Sequence, residues 1–79
     1  MYFVYVIKSI KYLSRYIGST DNVDKRVNEH NNGKCRYTKG RMPWTLIYKE
    51  EFNNRSEAMK RDKFLKSGQG RKYLDDKLK

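Results

Sequence analysis

YFVYVI, residues 2–7, is the stretch that decides the fold, because each of its side chains is aromatic or β-branched. Such a run predicts a β-strand that is buried on both faces. A second strand is expected from Arg15 to Ser19, and the short connection between the two favours antiparallel pairing. Gly18 in that strand has no side chain, which indicates either a bend or a place where another group approaches the backbone closely.

A helix is expected after these two strands. Thr20-Asp21-Asn22 is typical of a helix start, and Asn31-Asn32-Gly33 is typical of a helix end. Between them, the spacing i, i+3, i+4, i+7 places four residues on one helical face: Val23, Arg26, Val27 and His30. Two of these inward positions are polar, which is unusual for a helix face that packs on a sheet.

The second half of the chain predicts one more strand and a second helix. The strand begins at Trp44, and its alternation would place four side chains on one face: Trp44, Leu46, Tyr48 and Phe52. A capping box from Asn54 to Glu57 opens a helix that runs to about Lys66. We expect the inward face of that helix to hold Ala58, Met59, Asp62 and Leu65.

A short basic helix is expected over residues 70–79, with Tyr73 and Leu74 packing back on the core. The order of elements is then strand, strand, helix, strand, helix, helix. Three strands with helices against them predict an α/β (α+β) two-layer architecture, with residues 1–79 forming a single domain.

Charge and size limit the possible functions. The 79 residues include 19 Lys and Arg against 9 Asp and Glu, a formal net charge of +10, which favours a polyanionic partner such as DNA or RNA. A domain this small offers a shallow surface cleft, so no enclosed small-molecule cofactor is expected. One cysteine excludes an internal disulfide, and the first apolar run is too short to span a bilayer. We therefore expect a cytoplasmic location and no membrane partner.

Three polar residues occupy positions where the helical patterns expect apolar ones: Arg26, His30 and Asp62. Leaving them buried and unpaired would cost several kcal/mol. One interpretation is an internal network in which Asp62 pairs with Arg26. The other is a cleft where Arg26 stabilises charge on a phosphate, His30 moves a proton and Asp62 holds a divalent metal. Tyr5 and Tyr16, on neighbouring strands, would direct their hydroxyls into the same cleft.

Basic residues form a candidate surface for nucleic acid. The segment between Gly33 and Arg41 contains four cations and no acid: Lys34, Arg36, Lys39 and Arg41. Arg71 and Lys72 are expected to add two more from the last helix. Contacts of this kind bind phosphates, and they give affinity and salt dependence without base specificity.

The chain also resembles a known nuclease family. Phe3-Val4-Tyr5 and Tyr16-Ile17-Gly18 are similar to the two strand motifs of the GIY-YIG nuclease superfamily, with phenylalanine and valine replacing the glycine and isoleucine of the first motif. The similarity continues through Arg26, His30 and the stretches 38–44, 55–63 and 68–72. It covers nearly the whole chain and is greatest with the short stand-alone bacterial members (UPF0213-like). The resemblance implies the GIY-YIG endonuclease fold, a three-stranded antiparallel sheet flanked by about three helices.

The resemblance also implies roles for individual residues and one divalent metal ion, Mg²⁺ or Mn²⁺. Tyr5 would be the general base for water and Tyr16 would position that water or the phosphate, although the motif leaves open which of the two tyrosines is the base. Arg26 would stabilise the transition-state charge, and His30 would assist proton transfer or hold Tyr16. The metal-binding glutamate of the family aligns with Asp62, whose side chain is one methylene shorter, and Glu57 is the alternative ligand.

The leading hypothesis is a metal-dependent endonuclease that hydrolyses DNA phosphodiester bonds, directed by structure or damage rather than by sequence. RNA is the alternative substrate, and a targeting protein partner is a further expectation. The second hypothesis is a catalytically weak or inactive nucleic-acid-binding module on the same fold. Its supporting feature is aspartate at position 62 instead of glutamate.

Overall fold

The computed structural model describes residues 1–78, which form a sheet of three strands and three α-helices. The strands are β1 (Tyr2–Ser9), β2 (Arg15–Thr20) and β3 (Trp44–Phe52). The helices are α1 (Val23–Asn31), α2 (Arg55–Lys66) and α3 (Gly68–Lys77), and a single 3₁₀ turn spans Lys39–Arg41. These are the predicted elements in the predicted order. Lys79, the last residue of the predicted third helix and domain, lies outside the described residues.

The strand predicted from residues 2–7 is the centre of the sheet. The strand order is β2-β1-β3, and β1 pairs antiparallel with both neighbours. Residues Val4 to Ile7 are all buried, so the prediction of a strand covered on both faces is confirmed. The three-stranded antiparallel sheet flanked by three helices is confirmed as well.

The helices cover both faces of the sheet, and the expected two-layer architecture is therefore wrong. On one face, Val4 and Val6 pack against α2 and α3 through Ala58, Leu65 and Leu74. We call this the helix-pair face. On the opposite face, Tyr5 and Ile7 pack with Val23 of α1 and with Trp44, and we call this the α1 face. Since β1 is apolar on both sides, each side recruits its own helical layer.

An irregularity in β3 divides its side chains between the two faces. The pairing of β1 with β3 shifts between Val6 and Ile7, so that Val6 lies opposite Tyr48 while Ile7 lies opposite Leu46. The extra residue reverses the alternation. Trp44 therefore packs on the α1 face, whereas Tyr48 and Phe52 pack on the helix-pair face. The prediction that Trp44, Leu46, Tyr48 and Phe52 share one face is wrong for this reason.

Side-chain caps set the starts of the helices. Asn22 accepts a hydrogen bond from the Lys25 backbone N–H at the start of α1, and Asn54 accepts one from Glu57 at the start of α2. Such caps satisfy backbone donors that have no partner inside the helix. The inward face of α2 differs from the prediction at Met59, which is 48% exposed and lies outside the core.

The helices α2 and α3 meet at a corner of one residue. Ser67 ends α2, and its side chain also caps α3 by accepting from the Gly70 backbone N–H. Gly70 faces the backbone of α2, where an added Cβ would lie 2.0 Å from the Phe64 carbonyl oxygen. Only glycine fits there, so the two helices pack in close contact.

Candidate active site

Tyr5 lies against the backbone of the neighbouring strand. Its Cα pairs with that of Gly18, and a Cβ added at Gly18 would lie 2.6 Å from the Tyr5 hydroxyl oxygen. Of the two explanations that the sequence allowed for Gly18, a close approach is therefore the one observed. The missing side chain leaves room for the Tyr5 ring, which is 1% exposed.

Behind this ring, three polar side chains form a buried chain of hydrogen bonds. The Tyr5 hydroxyl lies 2.9 Å from Nε2 of His30, and Nδ1 of His30 lies 2.7 Å from the Thr38 hydroxyl oxygen. His30 and Thr38 are both fully buried. The Thr38 hydroxyl in turn donates to the Cys35 carbonyl oxygen at 3.4 Å. Both nitrogens of His30 are thus satisfied, as burial requires.

These contacts assign the protons of the chain. Because the Thr38 hydroxyl donates to a carbonyl, its oxygen accepts from Nδ1–H of His30. Nε2 of His30 then carries the lone pair and accepts from the Tyr5 hydroxyl. Thr38 thereby selects the His30 tautomer whose Nε2 accepts a hydrogen bond from the Tyr5 hydroxyl.

Backbone and indole contacts hold this chain in place. The Trp44 indole N–H donates to the Thr38 carbonyl oxygen at 2.9 Å. Asn31, at the end of α1, exchanges two hydrogen bonds with the Trp44 backbone, at 2.6 and 2.9 Å. The end of α1, the start of β3 and the loop between them are therefore fixed together around His30.

Burial sets the protonation states of Tyr5 and His30. It raises the pKa of Tyr5 to about 12, although the nearby Arg26 guanidinium lowers that pKa in part. Burial, together with the positive charge of Arg26, lowers the pKa of His30 below its ordinary value of 6.5. Tyr5 is therefore a neutral phenol and His30 a neutral imidazole at neutral pH.

Arg26 lies at the edge of this chain and is partly exposed. Its Nη1 atom lies 3.0 Å from a carboxylate oxygen of Glu29, and the two side chains are 35% and 29% exposed. This hydrogen bond raises the pKa of Arg26 further, so its positive charge is permanent. The internal network in which Arg26 would pair with Asp62 is not formed, since each of them has a different partner.

Tyr16 connects the buried chain to an open cleft. Its ring centroid lies 5.0 Å from that of His30 and 6.4 Å from that of Tyr5. Tyr16 lines a cleft of about 540 Å³ whose walls are built from β2, the loop after α1, and both helices of the opposite layer. The lining residues are Arg15, Tyr16, Ile17, Tyr37, Lys66 and Arg71. We call this the β2 cleft.

Asp62 offers one oxygen with no hydrogen-bond partner. Its side chain is 14% exposed, and Nζ of Lys66 lies 3.0 Å from its Oδ1 atom. This contact is an ion pair, and the buried oxygen accepts no hydrogen bond. Asp62 and Lys66 also line a second open hollow on α2, and Lys66 is shared with the β2 cleft.

The residues described by the structure contain no cluster of three or more His, Cys, Asp or Glu side chains able to hold a metal ion. A single carboxylate is still sufficient for Mg²⁺, which keeps several waters and takes further oxygens from substrate phosphates. The Asp62 oxygen that accepts no hydrogen bond fits such a role. Glu57, the alternative ligand, is exposed at the first turn of α2.

The six basic residues predicted to contact nucleic acid are all exposed. Arg71 lines the β2 cleft. Lys72 is its exposed neighbour on α3, outside that lining. The other four are exposed on the loop between α1 and β3: Lys34, Arg36, Lys39 and Arg41. This loop reaches the cleft through Tyr37.

Sequence reasoning missed three residues at this site: Thr38, Tyr37 and Lys66. Thr38 begins the stretch 38–44 that resembles the family, and this resemblance is the signal that could have found it. Tyr37 is the neighbouring residue. Its side chain is 69% exposed, and this exposure cannot be predicted from the presence of an aromatic residue in a loop. Lys66 was visible as Asp62 plus four on a helix, a spacing that favours an ion pair and that would have found it.

Comparisons with known proteins identify the family of this chain. A family model described as the GIY-YIG catalytic domain matches residues 1–74. A UPF0213 protein of Clostridium perfringens is 45% identical over 84% of this chain and 71% of its own length. The UPF0213 protein YazA of Bacillus subtilis is 40% identical over 96% of this chain and 80% of its own length. The solution NMR structure of a UPF0213 protein from Bacillus halodurans matches with a TM-score of 0.56 and 32% identity, covering 96% of this chain and 84% of that one.

Proposed function

The chain belongs to the GIY-YIG family, and from that premise we propose that it is a divalent-metal-dependent endonuclease acting on DNA. The resemblance expected from the strand motifs is confirmed, and a GIY-YIG catalytic domain implies a nuclease-type function on nucleic acid. Nucleases of this family generally use divalent metal ions. We further propose that DNA structure or damage directs the enzyme and that sequence contributes little. Among residues 1–78, no helix is long and apolar enough to cross a membrane.

The observation that carries the proposal is the convergence of Tyr5, Tyr16 and His30 from three elements. Their ring centroids lie between 5.0 and 6.4 Å apart, with the charge of Arg26 beside them. Burying the Tyr5 hydroxyl and the His30 imidazole beside Tyr16 and Arg26 costs desolvation free energy. A role in phosphodiester hydrolysis would explain this arrangement, because that reaction needs proton transfer and a cation near the phosphate.

Tyr16 is the tyrosine that faces the substrate in our proposal. It lines the β2 cleft, whereas the Tyr5 ring is 1% exposed and its hydroxyl is bonded to His30. Tyr5 as the general base stays a prediction, and it requires transfer of its proton to Nε2 of His30. Arg26 is placed to stabilise negative charge on the phosphate, because its guanidinium is partly exposed and permanently charged.

Asp62 is the residue that would hold the metal. When bound, a divalent ion polarises a phosphoryl oxygen and lowers the pKa of water. Asp62 supplies a carboxylate oxygen without a hydrogen-bond partner, at the side of α2 that also carries Lys66 into the cleft. The Lys66 ammonium, 3.0 Å from that oxygen, has to turn away when a cation binds there. Mg²⁺ and Mn²⁺ both suit such an oxygen ligand.

Cleavage assays test the proposal. Supercoiled plasmid and labelled duplex, flap and four-way-junction DNA are incubated with the protein and Mg²⁺, Mn²⁺ or EDTA. We expect metal-dependent strand cleavage that Arg26→Ala and Asp62→Asn both abolish. Lys25→Ala is the control for Arg26→Ala, and Asp76→Asn is the control for Asp62→Asn. Lys25 and Asp76 are both exposed on helices, and both control variants should cleave normally.

The second candidate is a nucleic-acid-binding module with weak or no cleavage. The observation in its favour is the ion pair of Asp62 with Lys66, which competes with a metal for the shorter aspartate side chain. If wild-type protein binds DNA in a salt-sensitive way but no substrate is cut in either metal, the enzyme proposal fails and this candidate replaces it.

A further inference from the structure

Tyr37 is exposed in a way that the core does not explain. It is 69% exposed, whereas the two buried aromatic residues of the α1 face, Tyr5 and Trp44, are 1% and 3% exposed. Its ring centroid nevertheless lies 5.6 Å from that of Tyr16, at an angle of 44°. One side of Tyr37 is therefore held against a residue of the proposed active site while most of its surface remains open.

The surroundings of Tyr37 match the two halves of a nucleotide. The β2 cleft, at about 540 Å³, lies in the range of volumes that hold small ligands, and it combines the rings of Tyr16 and Tyr37 with three cations, Arg15, Lys66 and Arg71. Aromatic rings bind nucleobases by stacking, and cations bind phosphates. The cleft offers both within one cavity.

The charges of the cleft identify where the phosphate would bind. Arg15 is paired with Asp75 at 2.6 Å, and Lys66 lies 3.0 Å from Asp62. Arg71 takes part in no ion pair within residues 1–78. Its charge is thus available for a phosphate, at the wall of the cavity that Tyr37 also lines.

Stacking on Tyr37 requires a base whose face is free. In a duplex, both faces of each base are covered by neighbouring pairs, whereas an unpaired base can leave the stack and lie on an aromatic side chain. We propose that Tyr37 stacks on an unpaired nucleobase of DNA whose phosphate is held in the β2 cleft. The substrate class is then DNA with an unpaired nucleotide beside the bond that is cut. This inference rests on the proposed nuclease function for its biological meaning. The experiment that tests it measures binding and does not depend on cleavage.

Binding in EDTA tests stacking without any cleavage. The probes are two labelled DNA duplexes. One is perfectly paired, and the other has the same sequence with one additional, bulged 2-aminopurine. The fluorescence of 2-aminopurine falls when it stacks on an aromatic ring. Wild-type protein should bind the bulged duplex more tightly and quench it. Tyr37→Ala should weaken binding of the bulged duplex by about 5- to 150-fold, the equivalent of one stacked base, and should leave the paired duplex nearly unchanged.

Two further variants separate stacking from other effects. Tyr37→Phe keeps the ring and should bind like wild type. Tyr12→Ala removes another exposed tyrosine, on the β1–β2 connection, and should not affect the bulge preference. Equal binding of both duplexes by wild type, or equal effects of Tyr37→Ala and Tyr12→Ala, would overturn the inference. If quenching and preference are found but no metal supports cleavage, the nuclease proposal fails and the stacking site stands.

Discussion

The two faces of the sheet take alternate residues of the same strand and use them differently. On the helix-pair face, Val4 and Val6 contact Ala58, Leu65 and Leu74 in an apolar layer. On the α1 face, Tyr5 and Ile7 lie beside His30 and Thr38, whose polar atoms are fully buried. Burial of apolar surface on the first face stabilises the fold. Burial of polar groups on the second face offsets part of that stabilisation. Strand β1 thus packs against an apolar layer on one face and against buried polar groups on the other.

A cluster of polar groups lies at the rim of the helix-pair face. Glu50 accepts from Nε and Nη2 of Arg61 at 2.8 and 3.1 Å, and the Tyr48 hydroxyl also donates to it. The Arg61 guanidinium lies over the rings of Phe64 and Tyr73. This cluster is partly exposed, so its ion pair contributes little net stability and needs no functional explanation. The buried polar chain of the α1 face is different, because it is desolvated and fully paired.

The largest expected effect is a cavity in the helix-pair face. Leu65 is fully buried between the helices and the sheet. Leu65→Ala should lower the free energy of unfolding by about 2–5 kcal/mol, a large part of the stability of a small domain. Chemical denaturation measures it. Met59→Ala, on the same helix but 48% exposed, should change stability by no more than about 0.5 kcal/mol. Equal losses in the two variants would show that this face is not the stabilising one.

A smaller effect is expected where Tyr5 contacts the backbone of β2. In Gly18→Ala the new methyl group would lie 2.6 Å from the Tyr5 hydroxyl oxygen, so the ring must move away from His30. The overpacking should cost about 1–3 kcal/mol of unfolding free energy and should lower cleavage strongly. Adding Tyr5→Phe removes the closest atom and should recover part of the lost stability. Gly40→Ala is the control, since nothing lies within 4 Å of its added Cβ, and it should leave both stability and cleavage unchanged.

The smallest effect is a pH dependence that arises from the α1 face alone. The folded-state pKa of His30 is lowered from 6.5, because burial and Arg26 disfavour its charged form. The unfolded state therefore binds the proton first as pH falls, and stability is lost from about pH 6.5 down towards the folded pKa. His30 is the only histidine of the chain, and the carboxylates with lowered pKa, Glu29 and Glu50, titrate below their ordinary 4.5. Denaturation between pH 7.5 and 5 should show this decline, and His30→Gln should remove it.

Much of the fold could be predicted, because local chemistry and tertiary packing agree in most of the chain. The buried strand at residues 2–7, the asparagine caps of α1 and α2, and the end of α2 at Lys66 were all visible as residue patterns. The faces of β3 were not, because the shift opposite Val6 and Ile7 depends on strand pairing rather than on the strand's own sequence. The second helical layer was not predicted. A strand that is apolar on both sides does not determine which helix covers which side.

The candidate site was predictable in its parts but not in its connections. Polar residues at inward helical positions identify Arg26 and His30 as candidates from the sequence alone. Their partners were not predictable, because Glu29 and Thr38 are selected by side-chain geometry rather than by spacing alone. Burial of the Tyr5 hydroxyl and exposure of Tyr37 likewise follow from how the loop after α1 folds over β2, which the sequence does not show.

The corner at Ser67 makes chain length itself a constraint. Lys66 and Arg71, two walls of the β2 cleft, lie on opposite sides of a junction of one residue that is locked by Gly70. One inserted residue at this corner would displace α3 relative to α2 and carry Arg71 away from the cavity. The connection between Ser9 and Arg15 is the opposite case: Leu13 there is 99% exposed, and extra residues would extend into solvent. A loop graft or reporter peptide therefore belongs in the hairpin, and the helical corner should be kept at its present length.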